Sequence, residues 1–179
     1  MPRLITRDEA LEQMRAERDT ERGPACLMCA VHAGFAGRVY PVFEDDEFLV
    51  FLPRFVRRWG HVVVSIKPHV TRYADVPWPL WMRANHLAWR AGRMVERVQD
   101  PKRVYITSSG SSAGELTQTS SHIHIHVIPL YDTEDRPADV FSWQAGVLTG
   151  EHDEWVAQQA LYVPAWERLA EEHPTPRER

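Results

Sequence analysis

The sequence has few cysteines, lysines and asparagines and no long apolar run. Its 179 residues include two Cys, two Lys and one Asn, Asn85. No apolar stretch approaches the roughly 20 residues that cross a bilayer, so the sequence predicts no membrane-spanning helix. The first residues are charged and lack the apolar segment of a secretory signal, so we expect a cytoplasmic protein. In that reducing compartment we expect no structural disulfide from the two cysteines.

The charge balance and length restrict the class of protein further. A formal net charge of -4 argues against a protein that coats nucleic acid or an anionic membrane, so we expect neither partner. A hydrophobic content of 44% over 179 residues indicates one domain with a substantial core. We expect an N-terminal helical segment over 1–23, the domain itself over 24–131, and an extension over 132–179 that packs on it.

The hydrophobic pattern predicts an α+β fold. Runs of β-branched and aromatic residues predict five strands, at 39–43, 47–52, 61–66, 103–107 and 122–128. Apolar residues recur every three or four positions over 77–99, which predicts one long crossover helix. Thr6 followed by Glu9 is typical of a capping box and predicts a short helix over 6–22. Short connections between the first three strands favour an antiparallel sheet.

Three histidines alternate with aliphatic residues in the last predicted strand. His122, His124 and His126 therefore project from one face of that strand, about 7 Å apart along it, while the aliphatic side chains enter the core. An exposed polar face would not require histidine at all three positions. Two chemical interpretations stay open: a metal site, including one catalytic ion held by all three rings, or nucleophilic and acid-base catalysis.

The segment His-Ile-His-Ile-His-Val-Ile resembles the signature of the histidine-triad (HIT) family of nucleotide hydrolases and transferases. Upstream, Gly60-His61-Val-Val-Val and Lys67-Pro68-His69 resemble that family's G-H-x-x-V and K-x-H, and Gln118-Thr119 resembles its Gln-Ser phosphate-binding step. The likeness covers about residues 24–131. It implies a five-stranded antiparallel sheet with a long helix, in agreement with the pattern above, and a homodimer.

The resemblance also implies a mechanism. The middle histidine, His124, attacks the α-phosphorus of a nucleotide and forms a covalent nucleotidyl-histidine that water or another acceptor resolves. His126 and His61 would donate hydrogen bonds to the phosphoryl oxygens or the leaving group, with Gln118 and Thr119 as neutral donors. We expect a dinucleoside polyphosphate or nucleoside phosphoramidate as substrate. A phosphorylase or nucleotidyltransferase and a binding module with little turnover are the alternatives.

Cys26 and Cys29 have the spacing of half a tetrahedral zinc site. On the residues alone, a pair of free buried cysteines or a redox pair is also possible. The zinc-binding branch of the HIT family completes this set with the histidine eight residues after the G-H histidine and the first histidine of the triad. The resemblance therefore implies a structural zinc ion bound by Cys26, Cys29, His69 and His122.

The sequence departs from the family around the loop that precedes His61. Pro53 stands where many HIT proteins have an acidic residue or asparagine that holds the ribose, and Asn85 falls in the long helix. The same loop contains Arg57 and Arg58, which we expect to contact substrate phosphates, since arginine suits bidentate phosphate binding. A solvated basic turn is the alternative.

Overall fold

The computed structural model describes residues 1–108, 110 and 120–175. The elements, in chain order, are β1 (Arg3–Ile5), α1 (Arg7–Glu17), α2 (Leu27–His32), β2 (Tyr40–Glu44), β3 (Phe48–Leu52), β4 (Val62–Ile66), a 3-10 turn (Tyr73–Asp75), α3 (Trp78–Gln99), β5 (Arg103–Ser108), β6 (His124–Leu130), α4 (Pro137–Phe141), β7 (Val147–Thr149) and α5 (His152–Glu172). No helix in this part of the chain is long and apolar enough to span a membrane.

Five strands form one antiparallel sheet in the order β2-β3-β4-β6-β5. This confirms the predicted α+β fold with five strands and a long crossover helix, α3. The strand that carries the triad, β6, begins at His124 rather than at the predicted His122, so the first histidine of the triad lies just before the strand. β6 lies between β4 and β5, which places the remaining two histidines in the sheet interior.

The two faces of the sheet have different coverings. On one face, Val62, Val64 and Val127 pack against α3 through residues such as Ala84 and Ala88. The C-terminal helix α5 also packs on α3 and β2, and it adds Trp155, Tyr162, Trp166 and Leu169 to the same buried cluster. On the other face a smaller cluster contains Met28 of α2 with Leu49, Phe51 and Val63. His124 and His126 lie on this second face, paired with Ser65 and Val63 of β4.

The N-terminal helix begins where its capping signal predicts. The backbone N–H of Glu9 donates to Thr6 Oγ1 at 3.2 Å, and Glu9 Oε2 accepts from the N–H of Thr6 at 2.7 Å. The helix ends at Glu17, earlier than the predicted 22, because Arg18 pairs in an isolated bridge with Ala36 and the N–H of Asp19 donates to the carbonyl of Phe35. These two contacts turn the chain toward α2.

Candidate active site and metal-binding cluster

Three imidazoles form a continuous hydrogen-bonded row across β4 and β6. His61, directly before β4, has Nε2 3.0 Å from His126 Nδ1. His126 Nε2 is 3.0 Å from His124 Nε2, and His124 Nδ1 is 2.7 Å from the carbonyl oxygen of His122. The structure therefore brings together all three residues predicted to be catalytic.

The carbonyl at the end of the row fixes the direction of every hydrogen bond. A carbonyl oxygen only accepts, so His124 Nδ1–H donates to it and His124 Nε2 presents a lone pair when the ring is neutral. His126 Nε2–H then donates to His124 Nε2, and His61 Nε2–H donates to His126 Nδ1. One set of tautomers thus satisfies all three contacts, and it leaves the lone pair of a nucleophilic nitrogen, Nε2, on His124.

Burial keeps the rings of His61 and His126 uncharged. His61 is buried, and desolvation, followed by the nearby His124, lowers its pKa to about 3. Burial also lowers the pKa of His126 well below its ordinary value, with further contributions from His61 and His124. Neutral rings at these positions can donate a hydrogen bond to an anionic phosphoryl group without a change of protonation.

A second cluster contains the four residues implied as zinc ligands. The ligand atoms of Cys26, Cys29, His69 and His122 all lie within 4.8 Å of one another. Cys29 Sγ is 3.3 Å from His69 Nδ1 and 3.5 Å from His122 Nδ1, and Cys26 Sγ is 3.4 Å from His122 Nδ1. Sulfur and nitrogen ligands bound tetrahedrally to one zinc ion are about 3.6 Å apart, so the donor set and its spacing fit zinc.

The neighbouring structure aims the donors of this cluster at a common point. Cys26 caps α2 and Cys29 lies in its first turn, so both thiols face the same side of the helix. His122 is fully buried and donates from Nε2–H to the carbonyl oxygen of Ile66 at 2.6 Å, which turns Nδ1 toward the two sulfurs. Second-sphere hydrogen bonds of this kind orient histidine ligands in metal sites.

The position of His122 separates the two clusters chemically. Its ring faces the cysteines, whereas the rings of His124 and His126 contact each other and His61. The three triad rings therefore do not converge on one ion, and within the residues that the structure describes only the Cys2His2 set groups three or more potential ligands. This geometry disfavours the alternative of one catalytic metal held by the whole triad.

The two arginines predicted to contact phosphate bond to the protein itself. Arg57 is buried and donates to the carbonyl oxygens of Asp139, at 2.9 Å, and Gly146. Arg58 pairs with the carboxylate of Asp135. Arg57 also lines a cavity beside the triad, which is described below. Contact of Arg57 and of Arg58 with substrate phosphates stays a prediction. Gln118 and Thr119 lie outside the described residues.

A cavity of about 410 Å³ opens beside the imidazole row. His61, His124 and His126 lie on its wall together with apolar side chains of the sheet and of α2. Sequence reasoning missed the other contributors: α1 supplies Met14 and Glu17, and the segment after β6 supplies Val140, Phe141 and Trp143. No local motif marks these residues, since they reach the cavity through the pairing of β1 with β7 and through the Arg57 contacts.

Two sequence relatives align with this chain over most of their own length. A 16.1 kDa HIT-like protein from Mycoplasma pneumoniae is 28% identical over 109 residues, which are 60% of this chain and 73% of the relative. The protein named hit from Bacillus subtilis is 27% identical over 111 residues, or 62% of this chain and 74% of the relative.

Solved structures share the fold. A Zn-bound histidine triad family protein from Mycobacterium smegmatis superposes with a TM-score of 0.61 at 23% identity, covering 83% of this chain and 98% of the other. A hypothetical histidine triad nucleotide-binding protein from Sulfolobus tokodaii gives a TM-score of 0.66 at 20% identity, covering 84% and 98%. The family model of the HIT domain matches residues 40–133, more than half of the chain. The protein therefore belongs to the histidine-triad (HIT) family.

Proposed function

We propose that the protein is a nucleotide hydrolase that acts at the α-phosphate through a covalent nucleotidyl-His124. The observation that supports this most directly is the hydrogen bond from His124 Nδ1–H to the His122 carbonyl at 2.7 Å. It fixes the tautomer in which Nε2 carries the lone pair, and His124 lines the cavity. A neutral, oriented imidazole is a competent nucleophile at pH 7.

The proposed reaction has two displacements at phosphorus. In the first, His124 Nε2 forms a bond to the α-phosphorus while the bond from phosphorus to the leaving group breaks. In the second, a water oxygen forms the new bond to phosphorus, the bond to His124 breaks to restore its neutral ring, and the water releases one proton to the solvent. His126 Nε2–H, which faces His124 in the free protein, donates to a phosphoryl oxygen or to the leaving group.

The other predicted substrate contacts are part of the same proposal. His61 positions His126 through its 3.0 Å hydrogen bond. Gln118, Thr119, Arg57 and Arg58 are proposed donors to the phosphates. The substrate would be a dinucleoside polyphosphate or a nucleoside phosphoramidate, both of which carry a leaving group on the α-phosphorus.

We also propose a structural zinc ion bound by Cys26, Cys29, His69 and His122. When bound, zinc supplies a cross-link rather than chemistry, since four protein ligands leave no open position. The cross-link would join α2 to the segments that follow β4 and precede β6. Because α2 contributes Leu27, Met28 and Val31 to the cavity, the same cross-link would hold one wall of the cavity in place.

Trapping the covalent intermediate tests the mechanism. Purified protein is mixed with a nucleoside 5′-phosphoramidate, quenched within one turnover and examined by intact-mass spectrometry. We expect one added nucleotidyl group on the wild type and none on His124→Ala, with turnover lowered at least 10³-fold. His173→Ala, in the exposed C-terminal segment, is the matched control and should behave as wild type. Full activity in His124→Ala would refute the mechanism.

The alternatives predict different results in the same experiment. A phosphorylase or nucleotidyltransferase would form the same adduct, but inorganic phosphate or another acceptor would resolve it faster than water. A binding module with little turnover would bind nucleotide and accumulate no adduct. The hydrogen-bonded row of three imidazoles favours turnover, since binding alone does not require a fixed tautomer of His124.

A further inference from the structure

The cavity beside the triad has one carboxylate on its wall among the described residues. Glu17 supplies it from α1, whereas Met28, Phe51 and Val63 make much of the remaining wall apolar. The other charged side chains there are the arginines at positions 38, 54 and 57. A carboxylate in a largely apolar cavity restricts which ligand fits, because the ligand must place hydrogen-bond donors against that carboxylate.

The position of Glu17 is not explained by the helix to which it belongs. It is the last residue of α1, where the negative end of the helix dipole disfavours a carboxylate. Arg54 offsets this, with Nη1 2.5 Å from Glu17 Oε1 and side chains that are 23% and 31% exposed. Arg54 follows β3, so this pair ties the helix to the end of the sheet beside the cavity.

Gly37 leaves the space that the second carboxylate oxygen needs. It has a positive φ of 77°, and a Cβ built there would lie 2.5 Å from Glu17 Oε2. No described residue donates a hydrogen bond to that oxygen. The carboxylate is thus held through one oxygen, and its second oxygen accepts no bond from the described part of the protein.

We propose that Glu17, held by Arg54, accepts hydrogen bonds from two adjacent donors on the nucleoside of the substrate. This rests on the proposed function, which places the α-phosphate at His124. The cavity, at about 410 Å³, is of the size that holds a small-molecule ligand. A base then packs against the apolar wall and the ring of Trp143, and the polar edge of the nucleoside meets the carboxylate.

Two parts of a nucleoside carry adjacent donors. The ribose has its 2′- and 3′-hydroxyl groups, and guanine has N1–H beside its 2-amino group. A carboxylate has about four lone-pair sites on its two oxygens, and Arg54 pairs with only one oxygen of Glu17. Glu17 can therefore accept hydrogen bonds from either donor pair. Adenine and cytosine place a ring acceptor beside their amino donor, and a carboxylate repels that acceptor. The selected group is therefore either the ribose diol or the guanine edge.

Equilibrium binding of guanosine 5′-monophosphate tests this inference without turnover. Calorimetry compares the wild type with Glu17→Gln, which keeps the size of the side chain, and with Glu12→Gln, an exposed change on the same helix. We expect at least tenfold weaker binding for Glu17→Gln and an unchanged Kd for Glu12→Gln. Glu17→Asp, which retracts the charge by one methylene, is a second variant and should also weaken binding.

Two analogues identify the donor pair. Inosine 5′-monophosphate lacks the 2-amino group, and the 2′,3′-dideoxy analogue of guanosine monophosphate lacks both hydroxyl groups. We expect one of them to bind the wild type at least tenfold more weakly than the parent, and this difference to disappear in Glu17→Gln. Equal binding of all three ligands by the wild type would overturn the inference.

Failure of the inference is distinguishable from failure of the proposed function. Tight nucleotide binding by the wild type that is unchanged in Glu17→Gln overturns the role of Glu17 and leaves the function standing. A wild type that binds no nucleotide overturns both. Melting temperatures of the variants, measured alongside, show that each is folded before its Kd is compared.

Discussion

Replacing His61 with glutamine changes how the stability of the protein depends on pH. In the folded protein burial lowers the pKa of His61 to about 3, whereas a histidine in an unfolded chain has a pKa near 6.5. Between these values the unfolded chain binds a proton that the folded protein does not. This imidazole therefore contributes stability that is fully present above pH 6.5 and is lost as the pH falls through the window toward 3.

The size of the effect follows from the two pKa values. Each pH unit below the unfolded pKa costs about 1.4 kcal/mol per buried neutral imidazole. Between pH 7 and pH 5 the contribution of His61 amounts to about 2 kcal/mol of unfolding free energy. The pKa of His126 is shifted in the same direction, so the wild type loses more than this over the interval. Glutamine cannot titrate there, and its amide N–H can still donate to His126 Nδ1.

Urea denaturation at pH 5, 6 and 7 measures this difference. We expect the unfolding free energy of His61→Gln to fall by about 2 kcal/mol less than that of the wild type between pH 7 and pH 5. Acid-sensitive contributions that are common to both proteins cancel in the comparison. Equal losses in the two proteins, within about 0.5 kcal/mol, would show that His61 is not held neutral by burial and would refute the reasoning.

Three further predictions concern the zinc content, the hydrogen bonds of Arg57 and the oligomeric state. Metal analysis should find about one zinc ion per chain in the wild type and in His124→Ala, whereas Cys26→Ala should lose zinc and melt at a lower temperature; equal zinc content in Cys26→Ala would contradict the ligand set. Arg57→Ala should cost about 2–3 kcal/mol in unfolding free energy, because two carbonyl oxygens lose a buried donor. We propose a homodimer through the β5 edge strand and α3, where Ile106, Trp78 and Met82 are exposed; Ile106→Lys should then shift a dimer to a monomer in sedimentation, and an unchanged mass would exclude this face.

Local patterns predicted the elements that carry the histidines. Strict alternation over His-Ile-His-Ile-His requires a strand with aliphatic residues on one face, and β6 confirms this for Ile125 and Val127. The 3.6-residue periodicity of 77–99 predicted α3 because Ala84, Leu87, Ala88 and Ala91 form one buried stripe. In both segments the order of apolar and polar residues within one continuous stretch determines the secondary structure. That order can be read from the sequence without knowledge of distant contacts.

The walls of the cavity could not be predicted in this way. β1 and β7 have three residues each and pair across more than 140 positions, so neither has a periodicity of its own. The α4 helix has five residues, and Arg57 holds it by donating a hydrogen bond to the carbonyl oxygen of Asp139, a contact that no sequence motif marks. Such contacts form only after the sheet has brought distant segments together, and the same holds for Glu17 beside Arg54.

His122 connects the two clusters through one residue. Its ring nitrogen Nδ1 faces Cys26 and Cys29, and its carbonyl accepts the hydrogen bond that fixes the tautomer of His124. A metal ion bound at Nδ1 would therefore also restrain the peptide group whose carbonyl oxygen holds His124, the proposed nucleophile. Because Nε2–H of the same ring bonds to Ile66 at the end of β4, the restraint extends to the neighbouring strand of the sheet. A structural metal at this position would thus set the orientation of the His124 imidazole while taking no part in the proposed chemistry.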